Sequence, residues 1–207
     1  MKPAKATPGA LLVDSLQFSQ SGTAEQAKAI RAIARGVYIY LGVATAEIVQ
    51  IALDADLAVI PCTTANAFDG EHALRELAAC GFCSGLTVQL DIEGASTLTV
   101  PLEQLTSEIN GWAGTIKSGS FLPAGYIGTP QPFTSEELYA LAVAGYWRGQ
   151  GRIVDRFSSN EKPTLAEPRC GWWAYQAWPS QEIGGVLVDF DMITADYEER
   201  VPVWGVA

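Results

Sequence analysis

Apolar runs with β-type composition alternate with amphipathic helical stretches along the whole chain. The runs predict strands over residues 11–16, 37–41, 57–62, 86–92, 122–127, 171–176 and 185–190, with a weaker one over 145–147. Between them, apolar residues at helical spacing predict helices over 23–34, 46–55, 70–79, 101–117 and 135–144. Parallel neighbours need a crossover between them, so this alternation calls for a mainly parallel sheet covered by helices. About eight strands fit, in a single domain over 1–207, with no linker, internal repeat or low-complexity tract.

Two α/β architectures meet that description. A doubly wound nucleotide-binding sheet carries a Gly-rich phosphate loop after its first strand, whereas here the chain continues Asp14-Ser15-Leu16-Gln17-Phe18-Ser19. The expectation is therefore a small (β/α)8 TIM-like barrel. At 207 residues the chain is short for one, and residues 149–168, rich in Gly, Pro, Ser and charge, read as loop. Some helices of the C-terminal third are expected to be lost or shortened.

A barrel places functional residues at the C-terminal ends of its strands. The predicted strand ends carry Asp14, then Asp91 and Glu93, then Tyr126, Gln176, and Asp189 with Asp191. Asp91-Ile92-Glu93 stands out, because positions two apart on a strand face the same way and two acids would converge. The first and last strands of a closed barrel are neighbours, so Asp14 and Asp189 are expected opposite that pair. Aromatic residues crowd the same ends: Trp172, Trp173, Tyr175 and Trp178, with Tyr40, Tyr126 and Trp147. Carboxylates among aromatic rings suit a glycan groove, where ring faces meet sugar C–H faces. Simpler readings stay open: a solvated turn for Asp-x-Glu, helix caps for Asp14 or Asp191, and core filling for Trp172 or Tyr175.

Composition narrows the partners. With 48% hydrophobic and 17% charged residues the chain suits a packed core, while a net charge of −10 without a Lys/Arg cluster argues against nucleic acid. No apolar run reaches the roughly 18 residues of a membrane span, and the prolines of Met1-Lys2-Pro3-Ala4-Lys5-Ala6-Thr7-Pro8-Gly9 do not suit a secretion signal. A soluble protein without an export signal of its own is expected. Cys80-Gly-Phe-Cys83 closes a predicted helix, whereas redox Cys-x-x-Cys motifs open one. Zinc held by Cys80, Cys83 and two of Cys62, His72 or Cys170 lacks a second close-spaced ligand pair, so buried free thiols are the preferred reading. No cofactor or metal is expected, and the pattern carries no oligomer signal. The tail 197–207, with Trp204 in an apolar setting, either folds over the barrel bottom or makes a contact.

The Asp14 strand, Asp91-Ile92-Glu93-Gly94, Gly125-Tyr126-Ile127-Gly128, Trp173-Ala174-Tyr175-Gln176 and Val188-Asp189-Phe190-Asp191, in that order, resemble the family 25 glycoside hydrolases. They look closer still to the related glycoside hydrolase-like domains of unknown function in bacterial cell-wall-associated and phage proteins. The likeness runs over residues 11–193. It implies a small barrel and muramidase-type cleavage of the β-1,4 bond of peptidoglycan. Glu93 would be the general acid, and Asp91 would orient the substrate's N-acetyl group or stabilise an oxocarbenium-like transition state. Asp14 and Asp189 would hold substrate and raise the proton affinity of Glu93, Tyr126 and Gln176 would position the sugar, and Trp173 and Asp191 would complete the groove. The stretch Ser15-Leu16-Gln17-Phe18 departs from the lysozymes towards the uncharacterised relatives. The alternative is an inactive glycan-binding or structural module of a phage or cell-wall assembly. Either would act at the wall after export or phage release, or else reside in the cytoplasm.

Overall fold

A computed structural model describes residues 1–64, 68–128, 132–149, 172–196 and 198–207. Eight strands close into a barrel: β2 (Leu11–Asp14), β3 (Gly36–Tyr40), β4 (Ala58–Thr64), β5 (Thr87–Ile92), β6 (Leu122–Ile127), β7 (Tyr146–Arg148), β8 (Trp172–Ile183) and β9 (Val186–Ile193). Pairing is parallel from β2 through to β8. The barrel shuts where β9 pairs antiparallel with both β8 and β2, setting Asp14 opposite Asp189 and Leu12 opposite Asp191. Two short strands lie outside it, β1 (Lys2–Lys5) and β10 (Val203–Val206), antiparallel to one another, with Gly205 of β10 against Val59 of β4.

The reversed last strand corrects one expectation. Only Gly184 and Gly185 join β8 to β9, and a tight two-residue turn can connect only antiparallel strands. Both glycines have positive φ, 59° and 80°, the left-handed conformation that such a hairpin turn requires. Asp189 and Asp191 therefore lie within β9 rather than at its C-terminal end, and Gln176 lies within β8, which runs on to Ile183.

Helices fill the other connections: α1 (Leu16–Ser21), α2 (Ala24–Arg31), α3 (Ala46–Asp54), α4 (Gly70–Ala79), α5 (Ala95–Thr99), α6 (Leu102–Ser118) and α7 (Ser135–Leu138). The first predicted strand stops two residues early because Ser15 caps α1, its hydroxyl accepting from the Phe18 N–H at 3.2 Å. A Thr23–Gln26 capping box opens α2, and Thr45 and Asp69 cap α3 and α4. Four residues of α7 stand where residues 135–144 predicted a full helix, and none fills the β8–β9 connection, as expected of the C-terminal third. The loop predicted from Gly149 lies, beyond that residue, outside the described residues.

Two apolar layers follow from the strand alternation. Val13, Val37, Ile39, Val88 and Leu90 face outward onto helix residues such as Ile30, Ile48, Leu77, Ile109 and Trp112. Inside the barrel, Leu12, Tyr38, Ile60, Cys62 and Trp147 pack together, with Tyr38 and Trp147 stacked at 4.0 Å between ring centroids and 4° between planes. Trp204 of β10 belongs to this inner cluster, so the tail folds over the barrel floor, the first of the two placements open for it. No helix among the described residues is long and apolar enough to cross a membrane.

Candidate active site

The same alternation decides which side chains enter the barrel. On β2 Leu12 points in and Val13 out, so Asp14 points in at the mouth. On β5 Val88, Leu90 and Ile92 face the helices, which turns Gln89 and Asp91 inward; Glu93 follows one residue past the strand. On β9 Val188 and Phe190 face out, leaving Asp189, Asp191 and Ile193 inside. Tyr126 of β6 packs on the inner cluster, 4.2 Å from the Trp147 ring between centroids.

Among the described residues, three side-chain donors meet Asp14, Asp189 and Asp191. The Tyr40 hydroxyl donates to Asp14 Oδ1 at 3.2 Å, the Trp147 indole N–H donates to Asp191 Oδ1 at 2.8 Å, and the Ser180 hydroxyl donates to Asp189 Oδ1. Asp14 and Asp191 lie close enough to influence each other's proton binding, and Asp191 Oδ2 is buried without a hydrogen-bond partner among the described residues. Asp91 Oδ1, both amide atoms of Gln89 and the Tyr38 hydroxyl are buried without a hydrogen-bond partner among the described residues. Buried polar atoms in that state are rare and mark places where a ligand or ordered water completes the bonding.

Burial and crowding push protons onto the cluster. Burial, followed by repulsion from Glu93 and Asp14, raises Asp91 to about 7. Asp14 is also raised to about 7, by burial and the Asp189 charge, against the opposing hydrogen bonds from Asp191 and Tyr40. Asp191 rises well above the carboxylate range, through burial and then Asp14. The Tyr40 and Tyr126 hydroxyls are raised as well, burial again leading, and remain neutral donors. Tyr126 senses Glu93, Asp14, Asp191 and Asp91, so these acids share one electrostatic neighbourhood.

Two glycines make room at the rim. A Cβ on Gly128 would overlap the Glu93 carboxylate and crowd the Tyr126 ring, and one on Gly149 would overlap the Tyr126 hydroxyl. The backbone after β6 thus lies directly against Glu93.

Of the residues predicted for the site, Asp14, Asp91, Glu93, Tyr126, Asp189 and Asp191 come together at the mouth. Gln176 sits opposite Asp191 in the β8–β9 ladder, half-buried. Trp173 does not join them. Its indole N–H donates to Asp196 at 3.1 Å, its carbonyl accepts from the Thr194 N–H, and its ring packs over Gly145, at the end of the barrel opposite the mouth. Trp173 is the second residue of β8, which runs on to Ile183 instead of ending at 176 as predicted, so it stands at the strand's floor end.

Compared with known proteins, the chain matches no protein-family model and no curated protein. Solved structures do share its fold. An uncharacterised protein of B. stearothermophilus is similar with a TM-score of 0.67 at 17% identity, over 89% of this chain and 96% of that one. The Tat-secreted protein Rv2525c of Mycobacterium tuberculosis, in complex with L-tartrate, gives 0.58 at 15% identity, over 89% and 95%. GHIP of Streptococcus pneumoniae, described as a glycosyl hydrolase 25 and virulence factor participating in host cell invasion, gives 0.57 at 12% identity, over 89% and 86%. At such identities the likeness is one of fold alone: the chain shares a small α/β barrel with these proteins.

The structure adds residues that were not predicted for the site. Tyr40 and Trp147 were read as rim aromatics, yet each donates to a carboxylate. Gln89 and Cys62 lie inside the barrel one layer beneath Asp91 and directly opposite each other; period-two alternation counted back from Asp91 points to Gln89. The Cys62 thiol is raised far above its usual range by burial and then by Asp91, Asp14, Asp191 and Glu93, which leaves it unreactive. Cys62, Cys80 and Cys83 are free, and Cys80 and Cys62 belong to different apolar layers. Among the described residues no group of three or more His, Cys, Asp or Glu is arranged to hold a metal.

Proposed function

We propose that the mouth of this barrel cleaves a glycosidic bond of bacterial cell-wall peptidoglycan, with acid assistance. The observation that carries this reading is a set of carboxyls at one barrel mouth, some of them proton-bearing near neutral pH and short of donors, beside neutral tyrosine hydroxyls. Glycoside hydrolysis needs one carboxyl to protonate the leaving oxygen and a second to steady the positive charge at the anomeric carbon or orient the group that attacks it. Glu93, at the rim against Gly128, is placed to meet a leaving oxygen and is the general acid. Asp91, one step deeper with Oδ1 unpartnered, orients the substrate's N-acetyl group or stabilises the transition state. Asp14, Asp189 and Asp191 line the far wall with Tyr40 and Gln176, while Tyr126 stands beside Asp91 on the neighbouring strand; the two tyrosines and the amide position sugar hydroxyls. Metal is not required for this chemistry.

Release of reducing ends from purified peptidoglycan tests the reading, wild type beside Glu93→Gln. Release that vanishes in the variant supports it; equal release removes Glu93 from the mechanism. The crowding of Asp14 against Asp189 favours a second reading, since clustered acids can recognise a ligand without reacting. Saturable binding to sacculi with no released ends from the folded wild type would establish that glycan-binding module.

A further inference from the structure

A cleft of about 400 Å³ leads away from the acids between α1 and the β8–β9 hairpin; the proposed chemistry uses its inner end, Asp14, Asp189 and Tyr40, and leaves its outer part without a role. Its walls are tied together. The Ser15 hydroxyl donates to the Leu187 carbonyl at 2.6 Å, and the Leu187 N–H donates to Gln17 Oε1 at 3.3 Å. One side chain on α1 and one at its cap thus occupy both backbone groups of Leu187, so the cleft is a formed feature with fixed sides.

Its surface has a particular chemistry. Leu16 and Leu187 stand 50% and 58% exposed on its two sides, an unusual placement for large aliphatic side chains on neighbouring elements. The exposed Gln20 offers an amide that both donates and accepts. The inner end is acidic, with Asp14 and Asp189. Among the described lining residues, Tyr40, beside Asp14, alone offers aromatic surface on which a sugar ring could stack. Aliphatic flanks, amide hydrogen bonding and a carboxylate end suit a short peptide with small side chains and an amine, and disfavour an anionic group.

We propose that this cleft is a subsite for an amine-bearing peptide branch of the glycan, held by Leu16, Leu187 and Gln20 with its amine directed to Asp189. The proposal rests on the carbohydrate reading for the main chain that enters the mouth, while the cleft's own chemistry selects the branch.

The probe is N-acetyl-alanyl-lysine amide, titrated into the full chain with the methyl resonances of Leu16 and Leu187 as readout, beside the glutamate analogue. The lysine probe is expected to shift both leucines saturably and to bind at least about tenfold tighter than the glutamate probe, the effect of reversing one charge at a carboxylate. Leu187→Ser and Gln20→Ala, both at exposed positions, are each expected to weaken the lysine probe about fivefold. No saturable shift, or equal binding of the two probes, overturns the proposal. Cleavage of peptide-bearing and peptide-stripped glycan with equal kcat/KM overturns it too, while leaving the glycosidase reading intact. Peptide bound in the cleft with no glycan cleaved sustains the subsite and removes the glycosidase reading alone.

Discussion

Buried carboxylates occur at both ends of this barrel, and they are treated in opposite ways. At the floor, Asp196 receives the Trp173 indole N–H at 3.1 Å, the Glu198 and Arg200 backbone N–H groups at 2.9 and 2.8 Å, and Arg200 Nε at 2.8 Å. Burial alone would raise its proton affinity, but these donors outweigh burial and hold it below the usual carboxylate range. At the mouth, Asp91 and Asp191 each keep a buried oxygen without a partner among the described residues. A carboxylate that only ties a loop in place is surrounded with donors. Acids short of donors among the described residues, and within reach of one another, raise each other's proton affinity, and in the proposed reading that deficit is what an incoming substrate fills.

The sharpest way to break this contrast is substitution of the rim acid. Glu93→Gln is expected to lower release of reducing ends by about a thousandfold or more while leaving the thermal midpoint nearly unchanged, in keeping with loss of a general acid. A variant as active as the wild type would show that the mouth acids are not chemical groups.

At the floor the effect should fall on stability. Asp196→Ala strands the Trp173 indole and the Arg200 side chain at once, and urea unfolding should show a loss of about 2–4 kcal/mol, the range for breaking a buried network. At the mouth the sign reverses: Asp91→Asn should stabilise by about 1 kcal/mol at pH 8, because it removes a buried charge that repels Glu93 and Asp14. Destabilisation by both substitutions would erase the distinction.

pH separates the two ends further. Asp14 and Asp91 bind protons more tightly folded than unfolded, their values of about 7 exceeding the ordinary 3.8. Their contribution to stability is fully present below about pH 4 and is lost as pH rises through about 7. Asp196 is shifted the other way, so its contribution is present above its unfolded pKa and is lost as pH falls through its lower folded value. Denaturant unfolding from pH 5 to 8 should show stability falling with rising pH, with a shallower slope in Asp91→Asn. A slope unchanged by that substitution would mean Asp91 is ionised throughout.

The smallest effect is steric. Gly128→Ala places a methyl group on the Glu93 carboxylate, and release of reducing ends is expected to fall about tenfold with stability altered by under about 1 kcal/mol. Unchanged turnover would mean that Glu93 has room to swing aside.

Much of the mouth was legible because alternation on a strand is a rigid rule. Counting by two from Leu12 reaches Asp14, and barrel closure then requires Asp14 to meet the last strand, where Asp189 stands opposite. What escaped was whatever breaks the rule. The length of β8, which runs on to Ile183, leaves Trp173 at the floor, and the Gly184-Gly185 turn reverses β9. Neither is visible in hydrophobic periodicity, which has no sense of direction. The strand β1 escaped for another reason: Lys2-Pro3-Ala4-Lys5 has no strand propensity of its own and is extended because β10 offers it a ladder.

That ladder joins the first residues of the fold to the last, Lys2 beside Val206 and Lys5 beside Val203. A force drawing Lys2 away from Val206 would load the ladder one rung at a time, as a zipper is opened, rather than all rungs together. The floor would then part before the barrel strands are strained, and Trp204 would be drawn out of its cluster while the mouth still held its shape. Mechanically, the molecule is a rigid cup whose base peels.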